Sequence, residues 1–250
     1  MSDRPQHLDS LFRDWPYEFG EISARVVRGA DGREVLQLRV EMGVLQMETT
    51  GRPDGSRPGG FPTCFAWLQA KAEEEGESFA LDERHCLEID REFVQFFHRR
   101  VAWLALREFD RAVADANHTL ALMDFSSLHA PDEAWAEMHE QYRAFVLFHR
   151  TQAAALATLE RGGAEAAVAE IDAGSEMIRD LLSRDETSGD VDENEDALLE
   201  KLAEMKAAVA AHYDVQPPLT QRLADAIAAE QYELAAELRD QLDRSQRRGH

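Results

Sequence analysis

The apolar residues of this chain change their period near Pro62, and that change limits what can fold on either side of it. Before it, Leu36, Leu38, Val40 and Met42 alternate with Gln37, Arg39 and Glu41, the two-residue period of a strand with one buried face. A β-branched run at 22–28 precedes them, and Ala30-Asp31-Gly32 between the two is a hairpin-turn signal. After Gly43 the parity flips, and Leu45 and Met47 become the apolar set. A flip at a glycine marks either a β-bulge or a break between strands. Residues 51–60, GRPDGSRPGG, are dense in turn formers and read as a loop. The region predicts a small antiparallel sheet with one face against helices.

From Pro62 onward the period is helical. A short helix over 63–75 turns Phe65 and Leu68 inward; one over 90–107 carries Phe93, Phe97, Val101 and Leu104; one over 108–123 carries Phe109, Ala112, Ala116 and Leu120. Pro131 starts a long helix through Trp135, Met138, Tyr142, Phe145, Ala153 and Leu156. Gly162-Gly163 breaks it, and 164–182 follows with Ala167, Ile171, Ile178 and Leu182 inward. These four long helices form two antiparallel hairpins. The ALREFDRAV stretch from Ala105 is similar in style to the turn of a tetratricopeptide repeat, and 164–167 is a second such turn. The two lie about 55 residues apart, beyond the 34-residue repeat, so the expectation is repeat-like packing or an irregular helical bundle, not a true repeat array.

Residues 183–196, SRDETSGDVDENED, are acidic and polar and read as a disordered linker. Asp190, Asp192 and Asn194 alternate as calcium ligands do, but Glu195 and Lys201 fall where an EF-hand needs glycine and glutamate. A helix over 197–212 presents Leu198, Leu202, Met205 and Val209, and Pro217-Pro218 separates it from the C-terminal segment. The fold class is α+β: a small N-terminal antiparallel β-sheet, a mainly α-helical body with repeat-like helical hairpins, and a C-terminal helical hairpin. The boundaries are 1–62 for the β-region, 63–182 for the helical hairpins, 183–196 for the linker, 197–216 for the connecting helix and 217–250 for the last hairpin.

Charge and cysteine usage narrow the function. The 250 residues carry a formal net charge of −22, which repels phosphate backbones and acidic membranes and makes direct nucleic-acid binding unlikely. Two cysteines, Cys64 and Cys86, with no CxxC pair exclude a disulfide scaffold and a four-cysteine zinc site. The N-terminal residues lack a secretory pattern and no apolar run approaches a membrane span, so a cytoplasmic protein is expected. The nine histidines are scattered: His85 and Cys86 are adjacent, and His139 and His149 lie roughly 15 Å apart along one helix, so neither pair forms a ligand set. No HExxH, GxSxG or P-loop occurs, and no carboxylate pair sits in the apolar setting that acid catalysis needs. Arg52 and Arg57 offer an anion site in the glycine-proline loop; the other reading is a solvated loop. No enzyme, metal or cofactor is expected.

One segment points to a function. Residues 219–242, LTQRLADAIAAEQYELAAELRDQL, read as a short helix, a break and a second helix. At 100° per residue Leu234, Ala235, Leu238, Leu242, Arg239, Tyr232 and Ala236 share an arc of roughly 200°, wider than the roughly 100° stripe a surface helix needs. Glu233, Glu237, Asp240 and Gln241 fill the other side. The first helix offers Leu219, Leu223, Ala226 and Ile227, too little to cover the whole arc. Some of the arc therefore meets the rest of the protein, as a terminal hairpin completing the core, or meets another chain.

The segment resembles the UVR motif of the bacterial excision-nuclease subunits UvrB and UvrC, found also in McsA-type adaptors and some Clp ATPases. The positions that carry the resemblance are Leu223 and Ile227, Tyr232 and Glu233, Ala235 and Ala236, Arg239 and Asp240, and Leu242. The chain lacks the CxxC zinc motifs of McsA-type adaptors. The resemblance implies pairing with a like hairpin or with a partner protein, and implies neither nuclease nor helicase activity. The expected function is an adaptor docking a partner, or itself, through Leu223, Ile227, Tyr232, Ala235, Ala236, Leu238, Arg239 and Leu242. The alternative is an accessory factor of nucleotide excision repair recruited by the same hairpin.

Overall fold

The computed structural model describes residues 7–185, 193–217 and 219–248. It divides into two compact units, Met1–Glu204 and Met205–His250. The protein is 69% helical with a three-stranded antiparallel sheet near its N-terminus, as the change of period predicts. Among the described residues no helix is long and apolar enough to cross a membrane.

In the first unit, β1 (Ala24–Arg28), β2 (Glu34–Val40) and β3 (Gly43–Glu48) follow each other across the sheet. Gly32, at φ 84°, turns the chain between β1 and β2. The parity flip at Gly43 is a break between strands: Val40 pairs with Gly43 across a two-residue turn. Met42 belongs to that turn rather than to the alternation of β2, and is 90% exposed. Leu36, Leu38 and Met47 cover one sheet face and form a core with Ala102, Trp103, Phe109, Ala112, Ala153 and Ala157. The second face is not left to water. A short helix, α1 (Asp9–Asp14), and the residues after it lie over the sheet, with the buried Arg39 guanidinium 4.3 Å from the Phe12 ring and donating to the Trp15 carbonyl at 2.9 Å.

The helices of this unit are α2 (Cys64–Glu75), α3 (Glu83–Ala105), α4 (Phe109–His129), α5 (Glu133–Glu140), α6 (Arg143–Glu160) and α7 (Ala164–Asp185); α8 (Glu193–Tyr213) runs from this unit into the second. Four expectations change. Helix α3 starts seven residues before residue 90, because the Asp82 side chain caps it by accepting the His85 N–H at 2.8 Å. Its buried row is Ile89, Glu92, Phe96, Arg99 and Trp103, and the expected inward Phe97 is partly exposed. The long helix from Pro131 is two helices, separated at Gln141-Tyr142 without proline or glycine; Arg143 at the break pairs with Glu140 and with Asp124 of α4. The expected linker, 183–196, begins and ends inside α7 and α8, and its middle, 186–192, lies outside the described residues. The alternating acids Asp190 and Asp192 lie there too.

Helices α3 and α4 form one antiparallel pair and α6 and α7 another, with α4 against α6. Both pairs turn in the same way. Arg107 (φ 59°) and Gly162 (φ 83°) take the left-handed conformation at the ends of α3 and α6. The next N–H in each case reaches back to close the helix, from Glu108 to Trp103 and from Gly163 to Thr158. The turns sit side by side, tied by Arg107 to Glu160 at 2.9 Å and Arg161 to Asp110 at 2.5 Å. Repeat-like packing at a spacing of about 55 residues is therefore present in the backbone. Between α6 and α7 the contact is close enough that a Cβ on Gly174 would lie 1.9 Å from Thr151 Oγ1.

Candidate docking hairpin

The second unit ends in α9 (Leu219–Ala228) and α10 (Tyr232–Arg248). Helix α8 is closed by Asp214 in the left-handed region, with the Val215 N–H donating to the Ala210 carbonyl, and Pro217 follows where a helix cannot continue. Glu230 (φ 58°) plays the same part between α9 and α10: the Gln231 N–H reaches the Ala226 carbonyl at 2.8 Å and the Glu230 N–H reaches Ile227 at 3.0 Å. This reversal folds α10 back along α9.

The contact between them uses only the middle of the apolar arc. Ala226, Ala235 and Leu238 are buried and Leu219 and Leu223 pack against them, while Leu242 is half-buried. The flanks stay in water: Ile227 is 54% exposed, Tyr232 70%, and Leu234, Ala236 and Arg239 are exposed. The eight expected docking residues therefore separate. Leu223, Ala235 and Leu238 hold the hairpin together, and Ile227, Tyr232, Ala236 and Arg239 remain on its surface. Projected at 100° per residue on two antiparallel helices, those four fall on one side of the hairpin and Leu234 on the other.

The body binds its polar groups internally. Arg52 is not an anion site: its guanidinium is 2% exposed, paired to Glu88 at 2.6 Å and lying 3.7 Å from Glu92. It anchors the glycine-proline loop to α3, so the loop is not simply solvated either; Arg57 stays exposed and donates to the Gly60 carbonyl. Glu92 is a fully buried carboxylate, set among donors rather than among apolar groups. Its oxygens accept the Cys64 and Phe65 N–H groups at the start of α2, at 2.6 and 3.0 Å, and lie 2.9 Å from His118 Nε2. Arg99 pairs bidentately with Asp115 at 2.7 and 2.8 Å inside the α3–α4 contact. None of these was legible in the sequence, although a charge recurring with the three- and four-residue spacing of Ile89, Phe96 and Trp103 was the available signal.

Several other chemistry-bearing side chains are packed into the same interior. Burial, and then the neighbouring Glu92, pushes the Cys64 thiol up to about 12, far from a reactive thiolate. His149 sits on α6, not on one long helix with His139, and accepts from Arg100 Nε at 3.3 Å. Burial first and the Arg100 charge second lower His149 to about 3, so it is neutral. His139 bonds Asp90 at 2.9 Å and stacks on Phe93, and His85 packs against Trp67 with its pKa lowered by burial. Among the described residues no three His, Cys, Asp or Glu side chains converge as a metal-ligand set.

Against this geometry the family comparison falls on the hairpin. Residues 215–248 match the family model described as the UvrB/uvrC motif. The match begins just after the cap that ends α8 and runs through α9, the turn and α10, so the family-like segment and the folded hairpin coincide. No curated protein and no solved structure matches the chain. Outside residues 215–248 the chain is described by its own geometry alone.

Proposed function

We propose that this is a non-enzymatic, cytoplasmic interaction protein, an adaptor that docks a partner protein or a second copy through the UVR-like hairpin. The observation that carries the reading is the divided arc. The hairpin's core uses Ala226, Ala235 and Leu238 and leaves Ile227 and Tyr232 more than half exposed beside Ala236 and Arg239. An aromatic, a β-branched and a small side chain beside an arginine suit helix-in-groove or helix-on-helix recognition, where aromatic and arginine side chains supply most of the binding energy. The body supports the reading by contrast, since its buried Glu92, Arg99 and His149 are engaged with groups of neighbouring elements.

The test compares the full chain with Tyr232→Ala and Arg239→Glu by light scattering and by recovery of bound proteins on the immobilised chain. Either the mass or the recovered set changes if the face docks. Unchanged mass and unchanged recovery in both variants overturn the reading. A role beside the excision-repair machinery is favoured by the family description of the matched segment. In that role the chain attaches through a protein, because its net charge of −22 opposes contact with phosphates. A shift of duplex DNA by the purified chain at moderate salt would reverse that ranking.

A further inference from the structure

The side of α10 that adjoins the docking face carries Glu233, Glu237 and Asp240, all exposed and, at 100° per residue, within about 60° of arc. Tyr232 and Arg239 line one border of the exposed face and Glu233 and Asp240 the other, each pair seven residues apart. Antiparallel pairing of two copies about Ala236 would set each row against itself. Tyr232 would meet Arg239 of the second copy, and Glu233 would meet its Asp240, twice per dimer. Like charges placed opposite each other are a device by which interfaces reject wrong partners. The same pairing would also bring together two chains that each carry −22.

Resting on the docking role proposed above, we infer that the hairpin's occupant is a heterologous, cationic protein segment rather than a second copy. That segment presents an apolar stripe to Ile227, Tyr232 and Ala236, with Lys or Arg along the border that meets Glu233, Glu237 and Asp240. A carboxylate or an aromatic ring on its other border meets Arg239. The long-range field of the chain steers such a partner in, and the apolar face and the two charged borders fix its register.

The experiment uses the full chain and two synthetic amphipathic helices, one of Leu and Lys and one of Leu and Glu, with binding read by fluorescence anisotropy. Light scattering at low and high salt is run beside it. The expected results are a one-chain mass at both salts, binding of the Leu/Lys helix alone, and a loss of about tenfold in affinity for Glu233→Lys/Asp240→Lys. Tyr232→Ala weakens the same helix. Glu73→Lys/Glu74→Lys, an equal charge change at exposed positions of α2, costs less than about twofold. Equal losses from the two double variants would mean that net charge alone attracts the helix, and would overturn the inference. A two-chain mass lost in Tyr232→Ala would overturn it while leaving the docking role intact. If no hairpin variant moves either readout, both fall.

Discussion

In the body, a fully buried carboxylate, Glu92, is surrounded by donors from Cys64, Phe65 and His118; in the hairpin, a tyrosine and an isoleucine lie more than half in water. The two regions handle unfavourable groups in opposite ways. The body places charges where apolar residues belong and satisfies them with neighbours from other elements, which fixes how α2, α3 and α4 meet. Among the described residues the hairpin's core is Ala226, Ala235 and Leu238, and it leaves apolar surface over. Buried, paired charge specifies a structure; exposed, unpaired apolar surface specifies an encounter.

The contrast can be broken most strongly in the body. Asp115→Ala leaves the Arg99 guanidinium buried without its carboxylate and is expected to cost about 3–5 kcal/mol, read as a lower denaturation midpoint. Leu238→Ala removes the most buried side chain of the hairpin and costs about 2–5 kcal/mol there. It should raise amide exchange throughout α9 and α10 and leave the body's midpoint unchanged. A fall in the body's midpoint would show that the two regions are not independent. Gly174→Ala drives a Cβ into Thr151 and should lower the body's stability by about 1–3 kcal/mol, with Thr151→Ser in the same chain recovering part of it.

Acid sharpens the same contrast. The folded-state value of His149, about 3, lies below its ordinary 6.5, so the unfolded chain binds the extra proton first. The contribution is complete above about pH 6.5 and is lost progressively as the pH falls toward 3. His149→Asn keeps an acceptor for Arg100 without titrating, and its midpoint should fall less steeply than that of the parent chain across that window. The smallest effect is a gain. Glu230 takes a left-handed backbone that glycine adopts without cost, so Glu230→Gly should slow exchange in the hairpin by the equivalent of about 1 kcal/mol.

Much of this architecture is readable from period and punctuation. The strands, the turn at Gly32, the break at Gly162 and the helix–turn–helix at the C-terminus each rest on local chemistry that survives folding. What escaped depends on tertiary partners. The inward face of α3 is hidden because His85, Glu92, Arg99 and Arg100 occupy inward positions, and a charged residue reads as solvent-facing until its partner is known. The break at Gln141-Tyr142 carries no proline or glycine to announce it. At the hairpin the residues of the arc were legible, but which of them the hairpin would consume was not, because that follows from how α9 lies on α10. The angular count required that part of the arc remain uncovered, and Tyr232, Leu234, Ala236 and Arg239 are that part.

Site-specific photo-cross-linking from position 232 tests the central claim most directly. A benzophenone side chain replacing Tyr232 in the full chain should give a discrete adduct in the cells that make this protein. The adduct should disappear when Arg239→Glu is added, and the same probe at Leu128, which is also exposed but lies on α4, should give none. No adduct from position 232, or the same adduct from both positions, would contradict the account.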